Sequence, residues 1–306
     1  MIQRGERLER GGVLDEALKC YVAAERTSDA SIRAEAVRRQ ADIQRLRCDW
    51  DAAVALARRS LELAREAGLD ERAAEALNAL AAIEQSRGRN ADAASLYREA
   101  LELAAEPRNR GCVLQNLGAI AALDGDHAEA QRWFEESLAC FHAAGYERGV
   151  AIALNNIGRA HLESGELQAA EEVLGRAVAQ ARYIADLDLS SVVLVNLAET
   201  LARRNELSRA EEEASAALGF FKVSGNRWRQ IECLKIIGDI RLALGETEVA
   251  RRLYAQALAV ASEIGDAGRS RGARPQGGRA RGSGGASSNR VRRLRPAQLA
   301  IAYPEK

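Results

Sequence analysis

LGAIAALDGDHAEAQRWFEESLA, residues 117–139, decides the fold. Gly118 follows Leu117, and a second glycine, Gly125, stands seven residues on. Ala130 comes five residues later, Phe134 four after that, and Ser137 three further. The same spacing recurs at Gly5, Gly12, Ala17, Tyr21 and Ala24. It returns at Gly158, Gly165, Ala170, Leu174 and Ala177, and again at Gly238, Gly245, Ala250, Tyr254 and Ala257. Three further copies are eroded: Ala53, Ala57 and Ser60; Gly88, Ala93, Tyr97 and Ala100; Asn205, Ala210, Ala214 and Ala217. The first alanine of the pattern thus falls at 17, 53, 93, 130, 170, 210 and 250. A period near 40 residues sustained over seven copies marks an array of small structural units.

Each unit resembles a tetratricopeptide repeat (TPR). The likeness rests on the Leu117-Gly118 dipeptide with its variants Ile157-Gly158 and Ile237-Gly238, on the following turn glycine, and on the alanine–aromatic–small ladder. It covers about 265 residues, and the spacing is similar to the roughly 40-residue variant of bacterial regulator arrays and kinesin light chains. The resemblance implies an all-α fold: a right-handed α-solenoid of about seven helical hairpins, each helix about 14 to 18 residues long. No hairpin buries its apolar face alone, so stacking supplies the core. Small residues let paired helices approach, and Tyr97, Phe134 and Tyr254 are expected to fill the space between neighbouring pairs. The glycines at 12, 88, 125, 165 and 245 fall where a tight connection wants positive φ. In place of the family's usual proline, EAGLD (66–70), AAGYE (143–147), VSGN (223–226) and EIGD (263–266) read as helix endings closed by a left-handed glycine.

Composition agrees. Aromatics make up 4% of the 306 residues, so the core is built from alanine and leucine, which requires close helix contact. No apolar run is long enough to span a bilayer and MIQRGERLERGG has no signal-peptide core, which predicts a cytoplasmic protein. The five cysteines, 20, 48, 112, 140 and 233, are odd in number and form no CxxC pair. They read as free thiols rather than a disulfide frame or a zinc site.

The chain divides in composition near Asp266. Residues 267–306 hold nine arginines and Lys306 against the single acid Glu305, with three of the four prolines and seven of the 25 glycines. The reading is a TPR α-solenoid over 1–266, its first repeat truncated, followed by an Arg/Gly-rich disordered tail over 267–306. The short first helix, the lack of a capping helix and the out-of-frame look of the tail suggest a piece of a longer protein. An uncapped last face would favour a homodimer. The tail predicts only weak, salt-sensitive attraction to polyanions, because no aromatic platform accompanies its charge from Arg269 to Arg295.

No phosphate-binding, zinc-protease, nucleophile-elbow or dinucleotide motif is present. His127, His142 and His161 share no helical face, and His161 occupies a slot that is large and partly buried in other copies. The expectation is a non-enzyme without cofactor or metal. In the family, the first helix of each pair lines an inner groove, through positions two and three before the glycine slot and one after it. The resemblance carries this to Arg38, Arg39, Asn78, Gln115, Asn116, Asn155, Asn156, Arg159, Asn196 and Lys235, with Glu199 and Asp239. Asparagine at 116, 156 and 196 predicts a ladder at forty-residue steps. A side-chain amide both donates and accepts, so it can pair with an extended peptide backbone. It can equally bond a neighbouring helix and set register, and both readings stay open. The leading function is a protein-interaction scaffold gripping a peptide or partner segment in the groove, with no specific nucleic acid or membrane partner. The alternative is a ligand-sensing array detached from a multidomain bacterial transcription regulator or signalling ATPase.

Overall fold

The computed structural model describes residues 1–272, and among them it is all-α. Of the expected tail, 267–306, residues 273–306 lie outside the described residues. The chain divides into two compact units, and the division falls within one helix, between Ala160 and His161.

The first unit holds α1 (Ile2–Arg10), α2 (Leu14–Ala24), α3 (Ala30–Leu46), α4 (Trp50–Glu66), α5 (Asp70–Ser86), α6 (Asn90–Leu103), α7 (Pro107–Asp124), α8 (His127–Ala143) and most of α9 (Glu147–Glu163). Here α1 pairs with α2, α3 with α4, α5 with α6 and α7 with α8. Each second helix then packs on the first helix of the following pair, and α3, α5 and α7 touch in succession. The second unit holds the end of α9, α10 (Leu167–Tyr183), α11 (Leu187–Arg203), α12 (Leu207–Ser224), α13 (Arg227–Ala243) and α14 (Thr247–Gly272), paired and stacked in the same way. Each unit is therefore a stack of helical hairpins, the α-solenoid arrangement. The first helix is short, nine residues against 17 in α3 and α5.

The turn inside each hairpin is a position rather than a residue type. Five residues before the first alanine of every copy, φ is positive: 73° at Gly12, 80° at Gly88, 85° at Gly125, 80° at Gly165 and 80° at Gly245, but also 59° at Cys48 and 64° at Asn205. Cys48, unremarkable in sequence, does a glycine's work in the eroded second copy. The connections between hairpins follow suit at Gly68, Gly145, Gly225 and Ala185. Aspartate or asparagine then starts several helices by accepting a backbone N–H three residues on, as Asp126 does from Glu129 at 2.9 Å. The two short steps in the repeat, 17 to 53 and 93 to 130, are second helices of 11 and 14 residues. After α6 the backbone extends at Ala104. Glu71 reaches across from α5 to accept from the N–H groups of Ala105 and Glu106 and from Asn109.

Two expectations are amended. Beside the space expected between neighbouring pairs, the rings of Tyr21, Phe134 and Tyr254 lie over the glycine slot of the first helix of their own hairpin. A Cβ added to Gly118 would stand 2.6 Å from the Phe134 ring, one on Gly238 2.6 Å from Tyr254, and one on Gly5 2.4 Å from Tyr21. Tyr97 likewise bonds Gln85 of its own pair through its hydroxyl, although its ring also reaches the cluster of Leu61, Val113 and Leu117 from neighbouring pairs. Glycine occupies the slot because the ring needs the space a methyl group would take. The second correction concerns EIGD: α14 does not end there but continues to Gly272. The "small" residues Ser60 and Ser137 are more than small. Both hydroxyls are buried and donate across the pair, to the carbonyls of Ala34 at 2.7 Å and Gly111 at 2.8 Å.

Candidate interaction cleft

Within the first unit one concave recess, of about 160 Å³, collects side chains from the first helix of five successive hairpins. Glu9 comes from α1, and Arg38, Arg39, Asp42 and Arg45 from α3. Asn78, Ala79 and Ala82 come from α5, and Cys112, Gln115 and Asn116 from α7. Gly149 and Ile152 of α9 close it, with Phe141, Tyr146 and Arg148 at that end. The inner wall comes from the first helices because each second helix spends its apolar face packing against the next pair.

Five of the residues expected at a groove are brought together here: Arg38, Arg39, Asn78, Gln115 and Asn116. Asn155, Asn156 and Arg159 stand further along α9 and do not line the recess. Asn155 is buried, and its amide donates to Asn156 at a long 3.4 Å. Asn196, Lys235, Glu199 and Asp239 belong to the second unit. Asn196 is buried there and its carbonyl accepts from Thr200, Lys235 is exposed, and Asp239 accepts from the Tyr254 hydroxyl at 2.6 Å. The asparagine that Asn116 meets is Asn78, not a residue forty positions away: Asn116 Nδ2 donates to Asn78 Oδ1 at 2.9 Å, tying α7 to α5. That contact is a bond to a neighbouring helix, one of the two roles which the sequence leaves open.

The arginines are mostly held by acids of the same wall. Arg38 pairs with Asp42 at 3.0 Å and Glu75 at 3.7 Å, and Arg39 with Glu6 at 2.7 Å and Glu35 at 3.8 Å. Arg72 closes the chain by reaching both Glu35 and Glu75. Alternating charges thus run across α1, α3 and α5. Partly buried networks of this kind constrain side-chain rotamers more than they add net stability. At the α1 edge, Glu9 accepts from the Tyr21 hydroxyl at 2.6 Å, and burial raises its carboxyl above the usual carboxylate range. Sequence reasoning missed Arg45, Glu9 and Arg148. Arg45 lies seven residues after Arg38, two turns along the same face of α3, a signal the three-position rule does not read.

The histidines stay outside the recess. His161 bonds Glu166 across its turn, Nδ1 to Oε2 at 2.6 Å. Among the described residues no group of three or more His, Cys, Asp or Glu is placed to hold a metal, and no helix is long and apolar enough to cross a membrane.

Comparison with known proteins agrees with this geometry. The tetratricopeptide repeat family model matches residues 32–106 and 109–182. The regulatory protein AfsR of Streptomyces griseus is 26% identical over 48% of this chain, and the chain spans 18% of AfsR. A signal transduction ATPase with numerous domains from Pyrococcus horikoshii, carrying a tetratricopeptide repeat sensor, superposes with a TM-score of 0.69 at 14% identity. That match covers 87% of this chain and 42% of the other. A Rap protein solved in complex with competence and sporulation factor gives 0.65 at 16% identity, over 87% and 75% of the two chains. At these identities the two structures speak to the fold alone.

Proposed function

We propose, for a chain whose residues 32–106 and 109–182 belong to the tetratricopeptide repeat family, that the first unit is a non-enzymatic scaffold which holds a peptide or partner segment in the cleft. The observation that carries this is the convergence of five successive first helices on one recess rich in amides and arginines, on walls fixed by ion pairs and by the Asn78–Asn116 bond. A preorganised wall lowers the ordering cost of binding. The Rap protein complexed with competence and sporulation factor supports the reading by analogy of fold. Cytoplasmic residence belongs to the same reading, as does pairing of two copies through the exposed outer face of α14.

The test is selection of random peptides on the folded protein and on Ala82→Trp, which fills the recess from a half-buried position. Peptides that bind the parent and lose binding to Ala82→Trp support the cleft. Equal recovery on both removes it. The further loss expected in Asn78→Ala with Asn116→Ala is modest, because those amides act chiefly on each other.

A second reading has its own support. AfsR is far longer than this chain, and the Pyrococcus protein carries its repeats as a sensor. The array then senses a ligand on behalf of a linked effector module. That reading predicts effector coding sequence beside this gene in some reading frame, and a neighbourhood without any would count against it.

A further inference from the structure

Charge in the cleft is mostly paired, although single buried atoms of paired arginines, Arg38 Nε among them, still lack a hydrogen bond. Arg38 and Arg39 are held by four carboxylates. Asn78 and Asn116 hold each other, Tyr21 holds Glu9, and Arg148 and Cys112 have partners of their own. Two groups stand apart. Arg45 makes no ion pair among the described residues, and its buried Nε has no acceptor. Gln115 Oε1 is buried and accepts from nothing among the described residues. Both line the same recess.

We propose that Arg45 and Gln115, rather than the asparagines, are the specificity-determining residues of the cleft, and that they select an extended segment presenting an acidic side chain and a main-chain N–H. The proposal rests on the cleft being the binding site. A guanidinium lacking an acceptor is best satisfied by a carboxylate, which it can grip through two parallel N–H bonds. An amide oxygen lacking a donor needs an N–H. An extended peptide that carries an aspartate or glutamate offers both kinds of group. A phosphodiester backbone offers the anion without the N–H. Arg38 and Arg39 are poor competitors for the ligand's charge, because each would first have to give up two carboxylates.

The test starts from peptides selected on the parent protein, resynthesised with acetylated and amidated ends so that any carboxylate is a side chain. Binding is measured by fluorescence polarisation to the parent, Arg45→Gln, Gln115→Met and the filled-cleft Ala82→Trp, each checked for helicity. The expected result is enrichment of Asp or Glu at one position. Changing that residue to Asn or Gln should weaken binding about tenfold to a hundredfold, as for a hydrogen bond to a charged group. Arg45→Gln should show the same loss, with no further loss when both changes are combined. Gln115→Met should weaken every selected peptide, acidic or neutralised, because it removes the acceptor for the main-chain N–H. Peptides without acidic bias, or binding unchanged in Arg45→Gln, overturn this inference while Ala82→Trp still reports on the cleft. Binding only when the peptide's own terminal carboxylate is free also overturns it, since the carboxylate would not then be a side chain. No difference between the parent and Ala82→Trp sinks both this inference and the reading beneath it.

Discussion

Gly118→Ala should destabilise the protein although alanine is the better helix former. Gly118 sits inside α7 facing α8, and an added Cβ would lie 2.6, 2.7 and 3.1 Å from three atoms of the Phe134 ring. The nearest is about 0.8 Å inside ordinary contact, on the steep wall of the potential. Phe134 is buried and has little room to retreat, so the methyl group has to spread the hairpin or push the ring off its rotamer. Overpacking of this kind costs about 1–3 kcal/mol, against a gain of about 0.5–1 kcal/mol from replacing glycine in a helix interior. The net expectation is a loss of about 0.5–2 kcal/mol. Gly175→Ala is the control. It is also helical but has nothing within 4 Å of its added Cβ, so it should stabilise by about 0.5–1 kcal/mol. Urea titration followed by far-UV circular dichroism gives both signs, and hydrogen exchange in α7 and α8 localises the effect. Phe134→Leu should absorb the added methyl, so the double mutant should lose less than the two single changes together, with a coupling of about 1 kcal/mol. Leu174 holds the equivalent position in the fifth copy. Gly118→Ala as stable as the parent, or a cycle that is simply additive, would refute the argument that ring and slot are one packing unit.

Four other outcomes are expected. Gly125→Val should cost about 1–3 kcal/mol from backbone strain alone, since φ is 85° and no atom lies near its Cβ, whereas Gly125→Asn should cost less because Asn205 adopts φ 64° at the same place; thermal melts separate them. Ser60→Ala and Ser137→Ala should each lower stability by about 1 kcal/mol by removing a buried hydrogen bond between helices, and a neutral result in both would reduce them to space-fillers. Glu9 has a folded pKa raised above 4.5 by burial, so the fold prefers its protonated form and the residue costs stability as pH climbs from that value through the folded pKa; the advantage of Glu9→Gln in melting temperature should therefore grow over that window, and a pH-independent difference would contradict it. Leu258 of α14 is 69% exposed where Leu218, forty residues earlier, is 8% exposed beneath α13, so Leu218→Asp should be severely destabilising and Leu258→Asp nearly neutral in the monomer, while sedimentation shows whether Leu258→Asp abolishes association of two copies.

Much of the fold was legible because the same short pattern returns at near-constant spacing. Each turn glycine, alanine step and aromatic states the same local preference, and seven repetitions lift it above chance. The candidate site was half legible. Arg38, Arg39, Asn78, Gln115 and Asn116 converge because the first helices of successive hairpins stack, so one position per repeat maps to one wall. Equal spacing puts Asn116, Asn156 and Asn196 at one helical position of successive copies, but it does not decide which side chains touch. Two shortened second helices, α2 and α6, break the forty-residue step in the first unit, and Asn116 meets Asn78 across 38 residues.

The wall that faces the cleft came from the family resemblance, whereas local chemistry was enough for the sequence to determine an all-α repeat and its hairpin turns. Each follows from interactions spanning a few residues, such as helix periodicity, positive φ at a glycine, or an aspartate capping the next turn. Tertiary structure alone decided that the aromatic rings sit over the glycine slots and that Cys48 can hold a left-handed turn. It decided too that Ser60 and Ser137 bond across the pair, and that Arg38 and Arg39 are neutralised while Arg45 is not. These depend on which helix lies within about 3 Å of a given atom, and hydrogen bonds and close contacts change sign over less than 1 Å of displacement. Periodicity places a residue on a face, but only packing chooses its neighbour.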